Sequence, residues 1–170
     1  MKINRVSEVT EKAKAYNMPV LTELIMGLPG ETYNTWVDSV CEVFANKIIN
    51  LDIFFLQLIE NAPMNVSDTD KFQLETFTAY DYFYETSTSV EEELGQGTAE
   101  IVNVIKSTST LTPDELYACN EFSWFVVGTH CYGLTTYISD YLYEKKGITY
   151  QEFYLDLLDS VKQDITINQW

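Results

Sequence analysis

The sequence is poor in basic residues, cysteine and histidine, and it lacks a long apolar run. Its 170 residues include 10 Lys and Arg against 26 Asp and Glu, which gives a formal charge of −16. A surface of that charge repels phosphate backbones and anionic lipid, so nucleic acid and membrane surfaces are not expected as partners. No stretch of about 18 uncharged apolar residues is present, so we expect no transmembrane helix. The N-terminus also lacks the apolar core of a signal peptide.

Cysteine is too scarce for a disulfide framework. Three well-separated cysteines, an odd number, favour reduced thiols and predict a cytoplasmic location. Cys41 shares the apolar face of a predicted helix with Trp36, Val40 and Phe44, so it is expected to be a buried packing residue.

The single histidine stands beside a cysteine, but the pair does not predict a metal site. His130 and Cys131 point about 100° apart on a helix, so they cannot easily bind one ion. A core position or an interhelical hydrogen bond is the better interpretation for His130. The nearby aromatic residues are likewise expected in the core rather than as a nucleobase platform: Phe122, Trp124, Phe125, Tyr132 and Tyr137. The sequence has no Walker-type phosphate loop and no Gly-x-Ser-x-Gly site.

What is present indicates a folded α/β chain, since 46% of the residues are apolar and 14% aromatic. Apolar spacing predicts a first helix through Val6, Val9, Ala13 and Tyr16 that ends at Asn17. Two nearly continuous apolar runs predict strands buried on both faces, with a helix between them in a right-handed βαβ unit. The predicted segments are strand 20–26, helix 33–47, strand 52–59, strand-like stretches 74–84 and 100–109, and helices 112–132, 134–145 and 149–163.

The middle of the chain is less regular. Residues 65–98 predict an irregular insertion with one short helix and one strand, and the acidic run Glu91–Glu93 predicts a solvated loop. The β-branched segment 100–109 is expected to pair antiparallel with a neighbouring strand.

The most informative pattern is the turn that joins strand 20–26 to the next helix. Gly27 and Gly30 lack a Cβ, which permits unusual dihedrals and a close ligand approach, and Pro29 stiffens the turn. Ligands of α/β proteins lie at the carboxyl ends of strands. By itself the turn favours a binding loop and a plain strand-to-helix connection equally.

Three segments in order resemble radical S-adenosylmethionine (SAM) enzymes of the branch with an N-terminal cobalamin-binding domain. They are TELIMGLPGETY at 22–33, similar to the family's fifth strand and turn, FLQLIENAPM at 55–64, similar to its sixth strand, and FSWFVVGTHCYGL at 122–134. The resemblance implies the last two strands of a partial (β/α) barrel, a small antiparallel strand pair and a C-terminal helical region. The implied divisions are 1–64 for the barrel part, 65–110 for the insertion and 111–170 for the helical region.

The resemblance also implies which residues bind cofactor. The family's fifth-strand glycines lie near the adenine end of SAM, and here they match Gly27 and Gly30, with Glu31 one residue late against the family motif. Glu31 has a second interpretation, as a cap of the following helix. The carried-over positions after the sixth strand are Gln57, Glu60 and Asn61, which equally suit the solvent end of a strand. Glu23, within the apolar first strand, is the candidate for a buried carboxylate.

The resemblance implies that intact members use SAM and a [4Fe–4S] cluster for radical-based hydrogen abstraction, and that many also transfer methyl groups through cobalamin. The cluster motif Cys-x3-Cys-x2-Cys is absent from this sequence, as is the Gly-Gly-Glu segment that holds the methionine end of SAM. The sequence therefore resembles the C-terminal part of such an enzyme, beginning near the fourth helix. Alone it is not expected to bind these cofactors stably or to form a radical.

Two kinds of partner follow from that interpretation. Strands 20–26 and 52–59 without their barrel neighbours leave apolar edges. These edges are expected to pair with the 100–109 strand of the same chain, with a second copy in a homodimer, or with the missing N-terminal half. The alternative function is a non-catalytic interaction module that self-associates or binds another chain through the same edges.

Overall fold

The computed structural model describes residues 3–80 and 101–164 of the chain. The elements follow in the order α1 (Ile3–Ala15), β1 (Leu21–Met26), α2 (Tyr33–Ala45), β2 (Asn50–Phe55), α3 (Pro63–Ser67), α4 (Thr69–Phe72), β3 (Glu75–Tyr80), β4 (Ile101–Ser107), α5 (Pro113–Val126), a π-helical turn (Val127–Cys131), α6 (Thr136–Lys146) and α7 (Tyr150–Gln163).

Two separate two-stranded sheets give the chain its α/β character. β1 and β2 pair in parallel, and α2 lies between them in the sequence. β3 and β4 form an antiparallel pair that runs from Glu75 opposite Ser107 to Tyr80 opposite Ile101, with an irregularity after Glu75. The α/β class and the antiparallel pair are thus confirmed, and the described residues contain no closed barrel.

The chain divides into two compact units. The first comprises Met1–Met26, Thr32–Phe54 and Tyr117–Trp170, and the second comprises Gly27–Glu31 and Phe55–Leu116. Each has its own buried apolar residues. Those of the first unit include Trp36, Val37, Val40, Phe44, Phe122, Val126, Tyr150 and Tyr154, and those of the second include Leu56, Leu58, Leu74, Val104, Ile105, Leu111 and Leu116.

Helix α2 supplies one wall of the first core. Its N-cap Thr32 accepts a hydrogen bond from the N–H of Thr35, and the Thr35 side chain accepts one in return from the Thr32 N–H. The buried Trp36 indole donates to Ser123 Oγ at 3.0 Å. Cys41 is buried on the same face, and burial raises the pKa of its thiol to about 12, so its predicted packing role is confirmed.

The C-terminal helices begin and end where the sequence predicts. Thr149 and Glu152 form a reciprocal capping box at the start of α7. Gly133 and Gly147 adopt left-handed φ values of +84° and +72° where the two preceding helical segments end. The long helix predicted over 112–132 differs in one respect, because α5 ends at Val126 and continues as the π-helical turn.

Three predictions about burial are wrong. β1 is not covered on both faces: Leu21 is 57% exposed and Ile25 is also exposed. Glu23 is exposed too, so it is not a buried carboxylate. Of the aromatic residues expected in the core Phe122 is buried, but Trp124, Tyr132 and Tyr137 are exposed. In each case the residue belongs to an apolar run, but the described residues place no second layer over its side chain.

Part of the predicted insertion cannot be compared with the structure. Residues 65–80 contain α4, most of α3 and β3. The continuation of the predicted strand over 81–84 and the acidic run Glu91–Glu93 lie outside the described residues. Among the helices that are described, none is both long and apolar enough to cross a membrane.

Candidate functional site

The glycine turn after β1 is the first component of the candidate site. Gly27 and Gly30 have φ values of +91° and +86°, a region that side chains other than glycine rarely adopt. The Glu31 N–H donates to the Leu28 carbonyl at 3.0 Å, which closes the turn. The chain then enters α2 through its N-cap Thr32.

Glu31 binds within the turn and does not cap the helix. The Gly27 N–H donates to its Oε2 at 2.7 Å, whereas the N-cap of α2 is Thr32. The helix-cap interpretation of Glu31 is therefore wrong. Burial raises the pKa of this half-buried carboxyl, and hydrogen bonds from the backbone of Gly27 and Leu28 partly oppose that rise. By accepting the hydrogen bond from the Gly27 N–H, the Glu31 carboxylate stabilises the conformation of the turn.

The two glycines differ in their surroundings. A Cβ on Gly27 would lie 2.6 Å from Ile105 Cγ2 and 3.5 Å from Leu116 Cδ1, so the turn packs directly onto these buried side chains. A Cβ on Gly30 would meet nothing within 4 Å. The missing side chain of Gly27 thus has a packing reason, whereas Gly30 is exposed and has open space beside it.

The segment after β2 forms the second component. Leu56 and Leu58 are buried, and their backbone pairs with β4: the Ile105 N–H donates to the Leu56 carbonyl at 2.9 Å, and the Leu58 N–H donates to the Asn103 carbonyl at 2.8 Å. Gln57 lies between them in an antiparallel bridge, with its side chain exposed.

Glu60 and Asn61 lie in the turn that follows. Both are exposed, and Asn61 adopts a left-handed φ of +64°. The Ala62 N–H donates to the Ile59 carbonyl at 3.2 Å, which closes that turn. The polar side chains of this segment are therefore exposed to solvent.

Strand β4 connects the two components. Ile105 bonds through its backbone to Leu56 and presents its side chain to Gly27, so the glycine turn and the segment after β2 meet at one residue. No pattern in the sequence predicted a role for β4 in the site. Its β-branched composition indicated a strand, but no local pattern indicated which part of the chain it would contact.

His130 belongs to a buried network in the first unit. Its Nδ1 lies 2.6 Å from Tyr154 Oη and 3.3 Å from Ser139 Oγ, and its ring stacks on Phe44 with centroids 3.9 Å apart. Burial lowers the pKa of His130 to about 4, so the imidazole is neutral at pH 7. The predicted core position with an interhelical hydrogen bond is confirmed.

The cysteines do not fit an iron–sulfur cluster. Cys41 and Cys119 are buried, and burial raises the pKa of the Cys131 thiol to about 11. Cluster ligands must be thiolates held together around the iron atoms. Within residues 3–80 and 101–164, no three His, Cys, Asp or Glu side chains lie close enough to hold a metal.

Comparison with known proteins gave no matching family model, but it identified two similar proteins. The chain is 27% identical over 161 residues to the cobalamin-dependent radical SAM methyltransferase TokK of Streptomyces tokunonensis, an alignment that covers 92% of this chain and 22% of TokK. It is 30% identical over 142 residues to the 2-(S-pantetheinyl)-carbapenam-3-carboxylate methyltransferase of Streptantibioticus cattleyicolor, covering 81% of this chain and 20% of that protein. The chain thus spans about a fifth of the length of each relative. The resemblance carried by the three sequence segments is confirmed: the chain resembles a fragment of the cobalamin-dependent radical SAM methyltransferases.

Proposed function

We propose that this chain forms the C-terminal part of a radical SAM enzyme that transfers a methyl group, and that it contributes the adenine side of the SAM site. The observation that carries the proposal is the meeting of the glycine turn and the segment after β2 at Ile105. The similarity to two methyltransferases along most of the chain supports the reaction class. The substrate is left unassigned.

The residues present fit one end of a nucleoside. Gly30 leaves open space beside the turn, and Gln57 and Asn61 carry amides that can donate to and accept from an adenine edge. Glu60 adds a carboxylate that can accept from an amino or hydroxyl group. Glu31 acts indirectly in this proposal, because its carboxylate already accepts the Gly27 N–H and so fixes the shape of the turn.

The rest of the chemistry requires residues that the described part of this chain does not provide. SAM and an iron–sulfur cluster, when bound, would supply the radical chemistry of this family. The described cysteines do not fit that cluster, and no described residue is assigned to cobalamin. We therefore propose that the chain is not catalytic alone and acts with the remaining part of a larger cytoplasmic enzyme.

Nuclear magnetic resonance of the chain tests the site. We expect millimolar S-adenosylhomocysteine to shift the backbone amide signals of Gly30, Gln57 and Asn61. The matched control is Gly147, which also has a positive φ and open space around it but lies in the other unit. Gly30→Val should abolish the shifts and Gly147→Val should leave them. Absence of shifts at Gly30, or equal shifts at Gly147, would contradict the proposed site.

Self-association is the second proposal, as an interaction module that lacks catalysis. Exposed Leu21 and Ile25 on β1 favour it, because apolar side chains beside an open strand edge are a template for pairing with another chain. Light scattering over a concentration series should give a dimer mass at tens of micromolar. Leu21→Lys should return the mass to that of a monomer, and a wild-type monomer throughout would refute self-association.

A further inference from the structure

A concave site lies in the first unit, where β1 and β2 begin. The cavity has a volume of about 370 Å³, within the usual range for small-molecule sites. Its walls come from the start of β1, the connection that enters β2, and the π-helical turn. It is separate from the glycine turn and from the proposed SAM site, and it shares only Leu21 with the β1 face proposed for self-association. The lining residues used in the argument are Pro19, Leu21, Asp52, Val127, Cys131 and Tyr132.

The π-helical turn shapes one wall of this cavity. The Tyr132 N–H donates to the Val127 carbonyl at 3.3 Å, five residues back, which widens the helix. The same turn buries His130 against Phe44 and Tyr154, while its neighbours Val127 and Cys131 line the cavity. The buried contacts of His130 and the cavity wall thus belong to the same short turn. Such π turns occur frequently at functional sites.

The lining is mostly apolar and carries charge of one sign. Asp52 is the only ionisable carboxylate among the lining residues, and no Lys, Arg or His lines the cavity. The Cys131 thiol is neutral at pH 7, since burial raises its pKa to about 11. Tyr132 is 80% exposed and offers an accessible aromatic face. The formal charge of −16 adds a field that attracts cations to the whole surface.

We propose that this cavity binds a small organic cation with an apolar body, of the arylalkylammonium class. The ammonium group pairs with the Asp52 carboxylate and lies near the Tyr132 ring, where a cation–π contact is favourable. The apolar body packs against Pro19, Leu21 and Val127. Because the cavity is open to solvent on one side, we expect dissociation constants from hundreds of micromolar to millimolar.

A matched series of three probes tests the charge requirement on the full chain. Tryptamine, tryptophol and indole-3-acetate share an indole body but carry a cation, a neutral hydroxyl and an anion. In ligand-observed NMR titrations at low salt, tryptamine should bind about two- to fivefold more tightly than tryptophol, as an exposed ion pair allows. Indole-3-acetate should bind most weakly. Saturable binding is expected for tryptamine.

Three variants separate a specific site from general attraction to an acidic protein. Asp52→Asn should bring tryptamine to the affinity of tryptophol, while Asp159→Asn, an exposed residue that does not line the cavity, should leave their ratio unchanged. Leu21→Trp should fill the cavity and weaken tryptamine and tryptophol together, with an unchanged far-ultraviolet circular dichroism spectrum. Equal affinity for all three probes, an equal effect of Asp159→Asn, or no saturable binding by the folded chain would each overturn the proposal.

Discussion

Replacing Gly27 with alanine should destabilise the chain markedly more than the same change at Gly30. Both residues have nearly equal positive φ values, +91° and +86°, so both alanines adopt an unfavourable backbone conformation. Only the new Cβ at position 27 meets a neighbour, Ile105 Cγ2 at 2.6 Å. Ile105 is fully buried and β-branched, so its methyl group has little freedom to move away. The pair of substitutions therefore isolates the steric contact from the backbone term.

The magnitude follows from three contributions. A non-glycine residue with positive φ costs about 1–2 kcal/mol, and the lower entropy of the unfolded alanine chain offsets about 0.4–1 kcal/mol of it. Overpacking a filled core costs about 1–3 kcal/mol more. We therefore expect Gly30→Ala to lower the free energy of unfolding by about 0–1.5 kcal/mol. For Gly27→Ala the loss should exceed this by about 1–3 kcal/mol.

Urea unfolding followed by far-ultraviolet circular dichroism measures both values, and a cycle with Ile105→Ala tests the cause. Removing the Ile105 side chain beyond Cβ should relieve the contact, so the two losses in the double variant should be less than additive by about 1–2 kcal/mol. Equal losses for the two glycine variants, or strict additivity with Ile105→Ala, would refute the argument that the turn packs on Ile105.

The remaining predictions concern the first unit. The pKa of His130 is about 4 in the folded chain and about 6.5 in the unfolded chain. Its contribution to stability is therefore complete above pH 6.5 and is lost as the pH falls toward 4. Over that range the free energy of unfolding should drop by up to about 3 kcal/mol. His130→Gln should flatten that part of the pH profile relative to wild type, and parallel profiles would contradict the assignment of the pH dependence to His130. Two charged neighbours also act on the imidazole: Asp140 raises its pKa and Lys47 lowers it. Ser123→Ala should lower the free energy of unfolding, measured in urea, by about 1–3 kcal/mol, because the buried Trp36 indole N–H loses its acceptor. Ser123→Thr retains a hydroxyl and should lower it less. Equal losses for the two variants would argue against the hydrogen bond. Thr149→Ala should lower the free energy of unfolding by about 0.5–2 kcal/mol, because α7 loses its N-cap, whereas Thr149→Ser should lower it little. Equal melting temperatures for the two variants would contradict the capping role.

Local patterns in the sequence were sufficient to predict most of the helices and strands, but not all of their ends: the strand predicted over 52–59 is β2 at Asn50–Phe55, and the helix predicted over 112–132 ends at Val126. Capping residues such as Thr149 and breaks such as Gly147 act within one turn of the chain, so their neighbours in sequence decide the conformation. The glycine turn was located in the same way, from a strand that runs into Gly27 and a helix that begins soon after Gly30. The family was identified from three short segments for a related reason, since a motif is itself a local pattern.

Only the tertiary structure decided which side chains are buried and which distant residues contact one another. An apolar side chain such as Leu21 is buried only if another element covers it, and hydrophobicity does not specify that element. Gly27 lacks a side chain because Ile105 lies against it, and that residue is 78 positions away in the sequence. His130 required a core position, but its hydrogen bond to Tyr154 and the π-helical turn that allows it depend on how α7 packs against α2. Contacts between distant segments form only when the whole chain is folded, and these contacts give the candidate site its shape.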